Sequence, residues 1–320
     1  MPFTGILGQD RNIAVLQRSL ASGKIAHAYL FEGIEGCGKG TVARAFIEAV
    51  FCGHEEGCGT CPSCRKVAAG QHPDLHRLEP DGAFIKIDQV RELQRQLSLR
   101  PHEAPRKACL ISTAERLNAA AANALLKTLE EPPGDALLIL LTSQVGAMLP
   151  TVLSRCQVLH FPALPEETIA ELLRRGGTEP EAARIAASLA GGSLDQALAI
   201  GSAEALAERR SFLERVFALS RTEIAPLFAT AEELSRDREL TVRLLDILLS
   251  FLRDVLILQA GGNETVHDDL QPLIAREAQR SPRERTMVRI GHVLEAVEAI
   301  KRNVNLRLAL DVLFMRLADR

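Results

Sequence analysis

The sequence predicts an α/β domain built on a parallel sheet, followed by a remainder that is entirely helical. Three observations carry that expectation. Short apolar runs alternate with helix-period segments from Ala26 to about Pro162, a glycine-rich loop follows the first run, and no strand-like run occurs beyond Pro162. Runs that are apolar on both faces suit strands buried in a parallel sheet whose crossover helices cover both sides.

In chain order, a helix over Gln9–Ser22 precedes the first run, HAYLF (27–31), and a second helix, Lys39–Val50, leaves the glycine-rich loop. The remaining strands are DLHRL (74–78), KACLIS (107–112), ALLILLT (136–142) and QVLHF (157–161), with helices over Val90–Arg100 and Asn118–Glu131 between them. Pro132 and Pro133 stop the last of these helices, because proline lacks the amide proton that a continuing helix needs. Beyond Pro162, short helices over Glu166–Arg175, Glu179–Ala190 and Ser193–Ile200 are joined by Gly176-Gly177 and Gly191-Gly192. Longer ones follow at Ala203–Leu219, Glu223–Ser235, Glu239–Gln259, Asp268–Arg280, Pro282–Arg302 and Asn305–Ala318. Glu239–Gln259 is apolar around much of its circumference, which places it in the middle of a bundle. The expected division is 1–163, 164–202 and 203–320, with a metal module at about 52–64.

Composition narrows the function. With 320 residues, 47% apolar and 25% charged, the chain can bury a substantial core and lacks the signature of disorder. A net charge of −3 gives no overall positive field with which to grip nucleic acid or anionic lipid unaided. One tyrosine, Tyr29, and no tryptophan argue against a stacking platform for single strands. The longest apolar run, Ala136 to Leu141, falls far short of the roughly 20 residues that span a bilayer. The opening MPFTGILGQDRN has neither the basic nor the apolar region of a signal peptide, so a cytoplasmic protein with no membrane partner is expected.

After the first strand, Gly33-Ile34-Glu35-Gly36-Cys37-Gly38-Lys39-Gly40-Thr41 fits the phosphate-loop pattern G-x-x-x-x-G-K in its strand-loop-helix context. Gly33, Gly36, Gly38, Lys39 and Thr41 are therefore candidates to hold the phosphates of ATP or ADP: glycines let amides fold around the oxygens, and the helix terminus and lysine add positive charge. The Ser or Thr expected after the lysine to ligate Mg²⁺ is replaced by Gly40, with Thr41 one position late. Hydrolysis also needs acidic groups at the end of the third strand, where Ser112 and Thr113 stand instead, and Glu115 is expected to point elsewhere. The chain should hydrolyse ATP very poorly even if it binds it.

Of seven cysteines, Cys52, Cys58, Cys61 and Cys64 fall within thirteen residues. In a reducing compartment such a cluster reads as metal ligation rather than a disulfide framework. Two overlapping Cys-x-x-Cys steps curl the backbone so that thiolates converge, and Cys52 can close a tetrahedron around Zn²⁺. Iron-sulfur ligation is the main rival. Four protein ligands leave no open position, so the metal is expected to be structural; His54 reads as a surface residue.

Several motifs then occur together and in order: Ile6-Leu7-Gly8-Gln9, His27-Ala28-Tyr29-Leu30-Phe31, the four cysteines, His72-Pro73-Asp74, Asn123 through Pro133, and Ser154-Arg155-Cys156. Jointly they resemble the AAA+ subunits of the bacterial DNA polymerase III clamp loader. The resemblance covers the first half specifically; the last 120 residues share only helicity and a similarity over Asn303-Val304-Asn305-Leu306. It implies an AAA+ P-loop domain with an inserted zinc module, a small helical lid and an all-α carboxyl-terminal collar domain. Its implied partners are the γ/τ and δ subunits, with the sliding clamp and primer-template DNA engaged through the complex. Within the family the chain is most similar to the non-hydrolysing member, and the resemblance assigns Arg155 as an arginine finger for a neighbouring ATPase. It also marks a departure, since Asp195 occupies the place from which ATPase subunits offer an arginine to nucleotide. Two rivals remain at this stage: an ATP-hydrolysing γ/τ-type motor, which would need Gly40, Ser112-Thr113 and Asp195 all compensated, and a free-standing zinc protein that binds nucleic acid.

Overall fold

The computed structural model describes residues 2–54, 57–220, 222–302 and 304–318. Asn303, which opens the stretch quoted above, lies outside them. Contacts between residues divide the chain into two compact units, Met1–Thr168 with Gly192–Asp195, and Ile169–Gly191 with Gln196–Arg320.

In the first unit the elements run α1 (Asp10–Ala21), β1 (Ala28–Glu32), α2 (Lys39–Phe51), α3 (Pro62–Ala68), β2 (Leu75–Leu78), α4 (Ile87–Ser98), β3 (Ala108–Ile111), α5 (Ala119–Glu130), β4 (Leu137–Thr142), α6 (Pro150–Leu153) and β5 (Gln157–His160). The five strands form one sheet in the order β2-β3-β4-β1-β5, and every neighbouring pair is parallel. All six residues of β4 are buried, as continuous burial of a central parallel strand requires. Alternation along the strands feeds two cores. Tyr29, Phe31 and Ile139 pack on the face that includes α2, while Leu30, Leu138 and Leu140 pack with residues of α4 and α5. Truncating a fully buried residue such as Leu140 to alanine is expected to cost about 2–5 kcal/mol.

Two local features differ from expectation. The fourth helix starts at Ile87, three residues before the sequence suggested, because Gln89 Oε1 accepts the Lys86 amide hydrogen and fixes an earlier first turn. Helix α3 had no periodicity to announce it; it and α6 are both short and both begin at a proline, which is pre-set for the first helical position.

The second unit takes in most of α7 (Glu166–Arg175) and all of α8 (Pro180–Leu189), most of α9 (Leu194–Ile200), and α10 (Ala203–Ala218), α11 (Ile224–Leu234), α12 (Arg238–Gln259), α13 (Gln271–Arg280), α14 (Arg283–Lys301) and α15 (Leu306–Leu317). As its sequence implied, α12 lies inside the bundle and buries Leu244, Leu248, Phe251 and Val255 against neighbouring helices. Helix α8 joins the same unit, where Ser188 Oγ donates to Val266 O and Arg184 pairs with Asp268. No helix among the described residues is long and apolar enough to cross a membrane.

Candidate functional site

The four cysteines are brought together. Cys52 ends α2, Cys58 and Cys61 lie on the excursion that follows, and Cys64 sits in the first turn of α3. Their sulfur atoms all lie within 4.8 Å of one another, with Cys52–Cys58 at 3.6 Å, Cys52–Cys61 at 3.9 Å, Cys58–Cys64 at 4.0 Å and Cys61–Cys64 at 3.4 Å. A tetrahedral ion with metal–sulfur bonds of about 2.3 Å needs sulfur atoms about 3.8 Å apart, so the set could hold a metal ion. None of the cysteines is in a disulfide. Backbone amides of Cys58, Cys61 and Cys64 donate to the sulfurs of Cys52, Cys58 and Cys61 in turn, at 3.3, 3.3 and 3.4 Å. Such donors stabilise thiolate charge. Hydrogen bonds from Thr60 and the Cys61 amide bring the Cys58 thiol down to about 5, while burial pushes Cys64 up. His54 is exposed and takes no part in the cluster.

Contacts made by His72 and Asp74 anchor this excursion. His72 is almost fully buried; its Nε2 lies 3.1 Å from Ser63 Oγ, its Nδ1 accepts from the Asp74 amide at 3.1 Å, and its ring packs 4.6 Å from that of Phe51. Asp74 in turn accepts from the amides of His102, Glu103 and Ala104 at 2.7, 2.8 and 2.9 Å. Burial works to raise its carboxyl, but those three donors outweigh burial and hold it below the usual carboxylate range. The His-Pro-Asp triplet was visible in the sequence; its task is to fasten the cysteine module and the segment after α4 to the start of β2.

The phosphate loop lies where the sequence placed it, between β1 and α2. A cleft of 450 Å³ opens over it, lined by Gly36, Gly38, Lys39, Gly40 and Thr41 together with Glu35, Arg44, Arg77, Glu79, Ser112, Thr113 and Asp195. Gly38 caps α2 at φ 92°, a left-handed conformation that glycine adopts without strain. At Gly36 a β-carbon would collide with Ser193 Oγ and come within 2.8 Å of the Asp195 nitrogen, and the Leu194 amide donates to Gly36 O at 3.0 Å. The segment Gly192–Asp195 is thus docked on the loop itself. Lys39 Nζ donates to Ile34 O at 2.9 Å within its own loop. Gln9, buried at the start of α1, braces the same loop by donating to Cys37 O and Pro162 O, each at 3.0 Å. No carboxylate follows β3 into the cleft: Glu115 instead accepts from Ser143 Oγ at 2.8 Å.

Arg155 lies between α6 and β5 and is not among the residues lining that cleft. Its side chain is about one-third exposed. Nη1 donates to Thr151 O at 2.9 Å and to Ser154 Oγ at 3.2 Å, and Nη2 pairs with Glu130 Oε1 at 2.5 Å. Nothing in the residue pattern singled out Glu130, since the pairing depends on how α5 and α6 pack.

A parallel five-stranded sheet with a glycine loop leading from β1 into a helix defines a P-loop α/β protein, here carrying a four-thiol insertion and a helical second unit. Comparison with known proteins narrows the class. A family model described as DNA polymerase III, delta subunit, matches residues 8–165, and one described as its C-terminal part matches residues 203–319. The DNA polymerase III subunit delta′ of Bacillus subtilis is 33% identical over 318 residues, covering 97% of this chain and 96% of that protein. The DNA polymerase III subunit tau of Escherichia coli is 35% identical over 210 residues, covering 62% of this chain and 32% of that protein. Among solved structures, a DNA polymerase III gamma subunit-related protein of Thermotoga maritima shares the fold with a TM-score of 0.51 at 19% identity, covering 96% of this chain and 99% of that one. The chain belongs to the DNA polymerase III delta′ subunit family.

Proposed function

We propose that this chain works in a clamp-loader complex as a subunit that does not itself hydrolyse ATP and that lends Arg155 to the ATP site of a neighbouring γ/τ-type subunit. The phosphate cleft supports this reading most strongly. It offers Gly40 where a Mg²⁺-ligating hydroxyl belongs, Ser112 and Thr113 where acidic groups belong, and Asp195, whose negative charge opposes phosphate. Docking of Gly192–Asp195 on Gly36 favours the same reading, because the chain's own backbone covers part of the loop.

Arg155 suits a role outside its own cleft. Its guanidinium keeps its charge and can donate paired hydrogen bonds to phosphate oxygens, and an arginine supplied in trans is worth roughly 10³ to 10⁵ in rate at the site it serves. The δ subunit, the sliding clamp and primer-template DNA complete the proposed partners, the last two engaged through the complex. Cys52, Cys58, Cys61 and Cys64 would hold a structural Zn²⁺, which contributes folding energy and, with four protein ligands, keeps no position for substrate. Residues 1–163, 164–202 and 203–320 are proposed as the AAA+ domain, the lid and the assembly domain.

The test is reconstitution. Purified chain is mixed with γ/τ, δ, clamp and primed DNA, and hydrolysis and clamp loading are measured for wild-type and Arg155→Ala complexes. The expected result is intact assembly with lowered hydrolysis in the variant; equal hydrolysis and loading in fully assembled complexes would show that Arg155 is structural.

A further inference from the structure

We infer that Glu130 is a positioning residue that restrains Arg155, holding the guanidinium against its own domain until a neighbour's phosphate draws it away. This rests on the reading of Arg155 as a group offered in trans. A guanidinium stays charged in proteins, so the availability of Arg155 depends on what its five donors are bound to. Nη2 pairs with Glu130 Oε1, and Nη1 is shared between Thr151 O and Ser154 Oγ. All three acceptors belong to the same unit as Arg155, and together they turn the guanidinium back on that unit.

The position of Glu130 strengthens the case. It is the last residue of α5, with Glu131 and Pro132 beyond it, so the carboxylate stands at the negative end of a helix dipole. An anion is unfavourable there and a cation favourable, so the helix end attracts Arg155 as well. Exposure decides whether the pair can open. The side chains are 34% and 49% exposed, unlike a buried pair, whose separation would strand a charge in the interior. An exposed pair biases an equilibrium by no more than about fivefold. That is enough to keep a free arginine parked and too little to resist several phosphate oxygens at a neighbour's site.

The experiment compares complexes carrying wild-type chain, Glu130→Gln, Glu130→Asp, Arg155→Ala and the Glu130→Gln/Arg155→Ala double variant, each shown to assemble. Hydrolysis is measured at low and high salt. Glu130→Gln is expected to raise hydrolysis about two- to fivefold at low ionic strength. The rise should shrink at high salt, where exposed pairs are already screened, and Glu130→Asp should stay close to wild type. It should vanish in the Arg155→Ala background. Unchanged or lowered hydrolysis in Glu130→Gln, with Arg155→Ala still impaired, overturns the restraint and leaves the arginine's role standing. A rise that persists without Arg155 also overturns it. If Arg155→Ala itself changes nothing, the role of the arginine fails and the restraint fails with it.

Discussion

At Arg155 the chemistry is carried by shape as much as charge. A planar fork can bridge two phosphate oxygens, whereas an ammonium is a point charge, so Arg155→Lys should recover little of what Arg155→Ala loses. At the single site served, the loss is expected to approach the roughly 10³-fold lower bound for trans arginines; the complex as a whole should lose less, because other sites have their own donors. Single-turnover hydrolysis in assembled complexes checks this, and full activity in the lysine variant would refute the fork argument. Gly40 offers a complementary case. A β-carbon there meets only Leu141 Cδ1, at 3.8 Å, so Gly40→Ser fits without strain. Removing a glycine from the first turn of α2 should raise stability by about 0.5 kcal/mol, read as a small increase in denaturation midpoint. Gly36 is the opposite: Ser193 and Asp195 leave no room for any side chain, and Gly36→Ala should displace Gly192–Asp195 from the loop.

The cysteine excursion between α2 and α3 has a short apolar complement of its own, and four convergent thiols give it a different source of order. One Zn²⁺ per chain is expected by elemental analysis, with Cys64→Ser, the most buried ligand, losing metal and loosening α3; iron with visible absorbance would contradict the assignment. Here the convergence of the four thiols was legible in the sequence, since residue type and spacing carry the whole signal. The sheet was legible for a similar reason: each strand is a dense local run. What stayed hidden depends on distant groups. The Ser63–His72 contact, the three amides on Asp74, Gln9 against Cys37 O and Glu130 against Arg155 each join elements that local periodicity cannot bring together. The same holds in the helical unit, where fully buried His267 accepts from Arg209 Nη1 at Nδ1, 3.0 Å away. Burial first, and the Arg209 charge second, lower its pKa from 6.5 to about 3. Below pH 6.5 the unfolded imidazole takes a proton that the folded one refuses, so stability present at neutral pH is lost as pH falls towards about 3, by at most about 1.4 kcal/mol per unit. Asp254, whose carboxyl burial raises, acts in the opposite sense. Denaturation midpoints of His267→Gln should fall less steeply between those limits than wild type's; parallel curves would remove His267 as the cause.

With Gly40, Ser112 and Thr113 lining a phosphate-loop cleft, the chain is proposed to act beside other subunits rather than as a motor of its own. The delta′ relative matches along nearly the full length of both chains, while the tau relative matches 62% of this chain and 32% of its own. The departures from a hydrolysing cleft are spread over separate segments: Gly40 opens α2, Ser112 and Thr113 follow β3, and Asp195 lies in a segment more than eighty positions later that folds back on the loop. No single substitution should restore turnover. The isolated chain is therefore expected to hydrolyse ATP at background rate, and Gly40→Ser should not raise it, since a hydroxyl restores one Mg²⁺ ligand and supplies no carboxylate to orient water. Lys39→Ala should leave that background unchanged. In the assembled complex the pattern should invert: Lys39→Ala in this chain should be tolerated, whereas Arg155→Ala in the same chain should lower hydrolysis at a neighbour. Rates for the isolated chain and for complexes carrying each variant decide the matter. Steady turnover by the pure chain, abolished by Lys39→Ala, would mean that Ser112, Thr113 and Gly40 are compensated within the cleft and that the protein is a motor in its own right.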